Sequence, residues 1–183
     1  MEVAAFDLDR VLFDTNAYMK EIRRRMERRG IDPERVFRKA EIEGRKDLST
    51  IYKVLGKYGA ASLLLEGISD FIPKSIRDLI EELKKKFFVV VVSVGDDLQK
   101  KKIDCLNIEK FFFVKSDKEK IDIVKMIDPV FFVDDKREVV EKLRKDGIRA
   151  YQAVWFLDEN YKRKALKDAL RSPREILEIA KDI

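Results

Sequence analysis

The feature that most constrains the fold of this chain is an alternation of short apolar runs with longer amphipathic segments. The run from Phe87 to Val94 is bulky and largely β-branched, which is typical of a strand buried on both faces of a sheet. Further predicted strands lie at 3–6, 111–114, 130–133 and 148–156, and predicted helices at 74–86, 96–105, 118–127 and 136–146. The pattern predicts an α/β fold, a doubly wound, Rossmann-like parallel sheet with helices on both faces.

The segment from residue 15 to residue 72 interrupts this alternation. It has helical patterning and no predicted strand, and glycines such as Gly30, Gly44 and Gly67 divide it. We therefore predict an α/β core formed by residues 1–14 and 73–183, with a small all-helical unit at 15–72 inserted after the first strand. The tail after Phe156 is predicted to be helical and to pack on the sheet.

Composition restricts the chemistry that is available. The 183 residues include no histidine, which excludes histidine triads, histidine metal ligands and imidazole acid–base catalysis. Cys105 is the only cysteine, so an internal disulfide and a cysteine-rich zinc site are excluded as well. Catalysis would have to use carboxylates, lysines, hydroxyls and hard metal ions.

The charge balance gives a weak preference for anionic partners. Lys and Arg number 40 against 35 Asp and Glu, a net charge of +5 that is small beside the 41% of charged residues. The cluster Arg23, Arg24, Arg25, Arg28 and Arg29 is interspersed with glutamates and lacks interleaved aromatic rings, so it indicates a solvated helix face rather than a nucleic-acid patch. Dense charge with few amides is typical of thermophile proteins.

No apolar run approaches the length of about 20 residues that a membrane span needs. The N-terminal residues also lack the basic region and long apolar stretch of a signal peptide. We therefore expect a cytoplasmic protein with no membrane partner. The sequence indicates no particular oligomeric state.

Polar side chains occur where the predicted strands end. Asp7 and Asp9 follow the first strand, Ser93 ends the second, lysines follow the third, and Asp134 and Asp135 end the fourth. In a parallel sheet these ends share one edge, where open α/β sheets bind their ligands. Clustered carboxylates repel one another unless a cation neutralises them, and an all-oxygen ligand set favours Mg²⁺.

Such a cluster is suited to phosphoryl transfer. A bound cation lets an anionic phosphate approach, and one carboxylate can then act as the nucleophile and form an aspartyl-phosphate. A second carboxyl group can protonate the leaving oxygen and later deprotonate water. Ser93 and a lysine would hold the phosphoryl oxygens.

These residues resemble the four motifs of the haloacid dehalogenase superfamily. The segment Phe6 to Thr15 is similar to its Asp-x-Asp signature, and Ser93, a lysine opening a helix and Asp134-Asp135 resemble the second, third and fourth motifs in family order. The resemblance spans roughly residues 2–156. The insertion directly after the first motif is similar to the C1-type helical cap of that family.

The resemblance implies a role for each matched residue. Asp7 would be the nucleophile and a metal ligand, and Asp9 the general acid/base with its backbone carbonyl on Mg²⁺. Asp135 would bind Mg²⁺ directly, and its neighbour Asp134 would be a ligand or hold one in place. Dehalogenase members lack the second aspartate of the first motif, so Asp9 favours phosphoryl transfer.

Some positions leave alternatives open. The motif lysine is Lys115, Lys118 or Lys120, and Lys118 best fits the pattern of a lysine opening a helix. Arg10 stands where relatives often have glycine, and is expected either near the phosphate or pointing outward. Arg45 lies in a segment that resembles a substrate-contacting loop, and we take it as a substrate-binding candidate or a surface residue.

The leading functional prediction is a Mg²⁺-dependent phosphatase for a small phosphorylated molecule. A phosphomutase of the same superfamily is the alternative within the enzymes, because it uses the same intermediate. A phospho-accepting signalling module of the receiver type also groups acidic residues, a hydroxyl and a lysine at strand ends, but its acceptor follows a later strand. A nucleic-acid-binding protein that uses the arginine cluster is a third class, and a steep salt dependence of binding would distinguish it.

Overall fold

The sheet at the centre of the molecule consists of five parallel strands in the order β3-β2-β1-β4-β5. The computed structural model describes residues 1–43 and 47–183. The strands are β1 (Glu2–Phe6), β2 (Phe87–Val94), β3 (Lys110–Val114), β4 (Phe131–Asp134) and β5 (Ala150–Gln152). This architecture confirms the predicted α/β fold with a doubly wound, Rossmann-like sheet.

Helices lie on both faces of the sheet and make up most of the insertion after β1. They are α1 (Thr15–Arg28), α2 (Pro33–Ile42), α3 (Leu48–Gly56), α4 (Lys74–Lys84), α5 (Lys100–Asp104), α6 (Asp117–Ile127), α7 (Arg137–Lys145), α8 (Glu159–Lys162) and α9 (Arg174–Lys181). Short 3₁₀ turns occupy Ala61–Leu64, Ile68–Phe71 and Asp97–Gln99. The helix predicted over 96–105 is therefore a 3₁₀ turn followed by the short α5.

The first strand lies in the middle of the sheet because β2 and β4 pair with its two edges. Ala4 is aligned with Val89 on one side and with Phe131 on the other. Small side chains at Ala4 and Ala5 leave room for bulky neighbours on both faces. One face packs against α4, and the other against α6 and α7. As a result, the residues after β1 lie at the centre of the sheet edge.

Within 15–43 and 47–72 the described residues form helices and turns and no strand. Helix α1 begins where the Asp14 side chain accepts a hydrogen bond from the backbone N–H of Ala17. It is fixed to the end of the insertion by Tyr18, whose buried hydroxyl donates to the Leu64 carbonyl over 2.7 Å. The division of the chain into a core and a separate helical unit remains a prediction.

The C-terminal part differs from the prediction in two ways. The fifth strand covers Ala150–Gln152 rather than 148–156, and residues 163–170 form no helix although their apolar spacing predicted one. Gln152 accounts for the second difference: its side chain accepts from Leu166 N–H and its carbonyl accepts from Leu170 N–H. These bonds tie a segment of consecutive turns to the end of β5.

Among the residues that the structure describes, no helix combines the length and the apolar character that crossing a membrane requires.

Candidate active site

The carboxyl edge of the sheet holds a cluster of buried polar side chains. Asp7 follows β1, Ser93 lies near the end of β2, and Asp134 and Asp135 lie at the end of β4. Their exposed fractions are 4%, 1%, 0% and 7%, although three of the four carry a carboxyl group. One carboxylate oxygen from each of Asp7, Asp134 and Asp135 lies within 4.8 Å of the others. The structure thus brings these sequence-predicted residues together.

A buried lysine completes this cluster. The Nζ of Lys120, on α6, lies 2.8 Å from Oδ2 of Asp134 and 3.1 Å from Oδ1 of Asp7, and Lys120 is 1% exposed. Of the three lysines left open by the sequence, the structure places only Lys120 in the cluster; the preferred Lys118 and the alternative Lys115 are both exposed. The i,i+4 pair Lys120 and Val124 faces the sheet, whereas Lys118 is on the solvent side of the helix.

Burial and mutual repulsion shift the protonation equilibria of the cluster. Burial, with added repulsion from Asp134 and Asp9, raises the pKa of Asp7 to about 6 against the attraction of Lys120. Burial and the charges of Asp7 and Asp134 raise the pKa of Asp135 to about 7. Burial opposes the charge of Lys120, but the two carboxylates beside it raise its pKa overall. Lys120 alone therefore does not neutralise the negative charge of the three carboxylates.

These residues fit a hard divalent cation. Oδ1 of Asp7 is buried and accepts no hydrogen bond, although Lys120 lies close to it. An oxygen-only ligand set of this size is the kind that Mg²⁺ binds. A cation would neutralise the carboxylates whose pKa values are raised. Asp7 and Asp135 are the carboxylates best placed to hold it, since Asp134 is already bound to Lys120 and to the backbone N–H of Lys136.

The second aspartate of the first motif has a different environment. Oδ1 of Asp9 accepts from the hydroxyl of Thr15 over 2.7 Å and from Nζ of Lys102 over 2.6 Å. Oδ2 accepts from Nε2 of Gln99 over 2.9 Å. Burial would raise the pKa of Asp9, but Lys102 and the hydrogen bonds outweigh it and lower this pKa. The pKa of Asp7 is therefore raised, whereas that of Asp9 is lowered.

Sequence reasoning missed Gln99 and Lys102. Both come from the segment that follows β2, and both are buried, with exposed fractions of 7% and 2%. Lys102 belongs to a run of three lysines whose other members, Lys100 and Lys101, are exposed. Nothing in a run of three consecutive lysines indicates which of them is buried.

Arg10 occupies a strained backbone position beside the cluster. Its φ of 62° is in the left-handed region, which favours glycine. Its Nε donates to Oδ1 of Asn16, and its Nη1 lies 3.5 Å from Oδ2 of Asp135. Of the two alternatives open for Arg10, the structure favours the position near the site, because the guanidinium is turned toward Asp135 while the side chain stays 40% exposed.

Two cavities reach these residues. A cleft of about 610 Å³ runs between the sheet edge and the inserted helices and is lined by Asp9, Lys102, Tyr18, Phe37 and Ile51 among others. A second cavity of about 880 Å³ lies beyond Arg10 and Asp135 toward α8. The substrate-binding candidate Arg45 lies outside the described residues.

No model of a known protein family matches the chain, and no curated protein matches its sequence. Solved structures match its fold along almost its whole length. A candidate haloacid dehalogenase-like hydrolase from Burkholderia xenovorans is 16% identical, covers 96% of this chain and 97% of its own, and has a TM-score of 0.71. A candidate β-phosphoglucomutase from Thermotoga maritima is 21% identical over 100% of both chains, with a TM-score of 0.65.

A third similar structure was solved with ligands. It is a haloacid dehalogenase family enzyme from Bacteroides thetaiotaomicron in complex with magnesium and inorganic phosphate. It is 17% identical, covers 88% of this chain and 98% of its own, and has a TM-score of 0.53. At these identities the likeness establishes the fold, and it agrees with the motif resemblance. The chain therefore has the haloacid dehalogenase-like fold.

Proposed function

We propose that this protein is a Mg²⁺-dependent phosphatase that hydrolyses a small phosphorylated metabolite through an aspartyl-phosphate. The observation that carries the proposal is the buried cluster of Asp7, Asp134, Asp135 and Lys120, in which carboxylates outnumber their one buried cation. Mg²⁺ held by Asp7 and Asp135, when bound, would neutralise this charge and draw the phosphate toward the nucleophile. The magnesium and phosphate recorded in the enzyme from B. thetaiotaomicron support this assignment.

In the first step the Asp7 carboxylate attacks phosphorus. A bond forms between an Asp7 oxygen and phosphorus, the ester bond breaks, and a proton from Asp9 goes to the leaving oxygen. Lys120, next to Asp7, and the Ser93 hydroxyl offset charge on the phosphoryl oxygens.

In the second step water attacks the phosphoryl group and Asp9 takes its proton. The bond between phosphorus and Asp7 breaks, and inorganic phosphate leaves with Asp7 and Asp9 restored. Asp9 is able to accept this proton because the first step, in which it protonates the leaving oxygen, leaves it as a carboxylate.

We further propose that residues 15–72 act as a cap over the site. The cleft between these helices and the sheet edge would admit only substrates that fit beneath them. A cleft of about 610 Å³ suits a small metabolite rather than a macromolecule.

A phosphomutase is the second candidate, favoured by the full-length match to the candidate β-phosphoglucomutase. It would use Asp7 and Asp9 in the same way but return the phosphoryl group to a sugar phosphate instead of water. The two activities differ in their product: a phosphatase releases one inorganic phosphate for each substrate consumed, whereas a phosphomutase does not.

The test is hydrolysis of a generic aryl phosphate with Mg²⁺ and with EDTA, by the wild type and by Asp7→Asn. We expect turnover that needs Mg²⁺ and is lost in the variant. A wild type that leaves both aryl and alkyl phosphates intact in the presence of Mg²⁺ contradicts the proposal. A stable phosphoenzyme without turnover would favour a signalling module instead.

A further inference from the structure

Lys102 is a buried cation that the proposed reaction does not use. Its Nζ lies 2.6 Å from Oδ1 of Asp9, and its side chain is 3% exposed. The same nitrogen lies over the ring of Phe13, 4.3 Å from the centroid, and 5.6 Å from that of Tyr18. Burying a lysine is unfavourable unless a partner compensates it, and here a single carboxylate and two rings do so.

The segment that carries Lys102 is fixed at several points. Gln99, one turn earlier, donates to the other oxygen of Asp9. Gly95 makes room for that side chain, because a Cβ at this position would lie 2.7 Å from Cγ of Gln99. The carboxylate of Asp96 accepts from Leu98 N–H and from Ser49 N–H of α3, which attaches the segment to the inserted helices.

Asp9 is thus bound from two sides. Thr15 and Lys102 hold one oxygen and Gln99 the other, so each carboxylate oxygen has a donor within 2.9 Å. Among these donors Lys102 carries the only charge, and charge-assisted hydrogen bonds are about twice as strong as neutral ones. Lys102 therefore contributes most to the orientation of this carboxylate.

We propose that Lys102 is a positioning residue that holds the carboxylate of Asp9 in place to accept the proton of the attacking water. This role rests on the proposed function, in which Asp9 is the general base of the second step. Lys102 differs from Lys120, which contacts Asp7 and Asp134 and not Asp9. In the absence of Lys102, only the neutral donors Thr15 and Gln99 would orient Asp9. The carboxylate would then be less well oriented, and the attack of water would be slower.

The experiment uses p-nitrophenyl phosphate with Mg²⁺ and compares the wild type with Lys102→Met. Nitrophenolate is a good leaving group that needs no proton, so the first step does not require Asp9. We expect kcat to fall by about 10- to 100-fold, at most the lower limit of what a general base contributes, because the variant disorients Asp9 without removing it. KM should fall in parallel, kcat/KM should stay within about threefold, and a burst of nitrophenolate should precede the steady state.

Two further variants control the result. Lys100→Met removes an exposed lysine that pairs with Asp104 on the same helix, and should leave all kinetic constants unchanged. Lys102→Arg keeps a charged donor and should restore part of kcat. If Lys102→Met does not fold, Lys102→Gln keeps a neutral donor and should show the same burst with a smaller loss.

The outcomes separate this inference from the proposed function. Equal losses of kcat and kcat/KM, without a burst, would mean that Lys102 only supports the structure of the site, and would overturn the inference. An unchanged or higher kcat would overturn it too. A wild type without Mg²⁺-dependent turnover would overturn the proposed function and this inference with it.

Discussion

Replacing Lys120 by methionine would leave two buried carboxylates without their shared cation. Lys120 is 1% exposed and pairs with Asp7 and Asp134, which are 4% and 0% exposed. Removing one partner of a buried ion pair costs about 3–5 kcal/mol, because an uncompensated charge stays in the interior. Asp134 keeps the backbone N–H of Lys136, which places the expected loss toward the lower end of this range.

The loss should depend on pH in a direction that follows from Asp7. Its pKa of about 6 means that Asp7 is ionised at pH 8 and largely protonated at pH 5. The ion pair with Lys120 therefore contributes less at pH 5. We expect Lys120→Met to lower the free energy of unfolding by about 3–4 kcal/mol at pH 8 and by clearly less at pH 5.

Urea unfolding followed by circular dichroism, in EDTA at both pH values, measures these differences. Lys136→Met is the matched control, since Lys136 forms an exposed ion pair with Asp117, and its loss should cost less than about 1 kcal/mol. A loss below about 1 kcal/mol for Lys120→Met at pH 8, or an equal loss at both pH values, would refute the reasoning.

Further predictions follow from the same contacts. The metal-free protein should lose about 2 kcal/mol or more of stability when the pH rises from 5 to 8. The folded-state pKa values of Asp7 and Asp135, about 6 and about 7, lie above the unfolded value of 3.8, so the folded state binds more protons in this range. Urea titrations at a series of pH values measure this change, and a stability that does not vary with pH contradicts the prediction. Asp135→Asn should raise the Tm of the metal-free protein at pH 8 and should remove the increase in Tm that Mg²⁺ gives to the wild type. Thermal unfolding with and without Mg²⁺ measures both effects. If Mg²⁺ raises the Tm of the variant as much as that of the wild type, Asp135 is not a ligand. Tyr18→Phe should cost about 1–3 kcal/mol of unfolding free energy, because the buried Leu64 carbonyl loses its donor, and an unchanged urea midpoint would argue against this contact.

Much of the fold could be predicted because the strands are buried on both faces. A continuous apolar run such as Phe87 to Val94, with helical segments before and after it, is typical of a central strand in a parallel sheet. The segment at 163–170 was harder, because its apolar spacing also fits a helix. Hydrogen bonds from its backbone to Gln152, a residue more than ten positions earlier, decide its conformation, and no local pattern contains them.

The site could be predicted only where it follows from topology. Asp7, Ser93, Asp134 and Asp135 come at strand ends, and the order of a parallel sheet is enough to bring them to one edge. Topology does not determine which of the lysines lies in the site. Lys118 and Lys120 both open α6, and only the rotation of that helix on the sheet buries Lys120.

Detection of a phosphoryl group on Asp7 is the measurement that tests the central claim most directly. The wild type, supplied with Mg²⁺ and an aryl phosphate, is quenched in acid during turnover, and the peptide that contains Asp7 and Asp9 is analysed by mass spectrometry. We predict an increase by the mass of one phosphoryl group, located by fragmentation on Asp7 and absent from Asp7→Asn. Turnover with an unmodified Asp7, or with the phosphoryl group on another residue, would contradict the account.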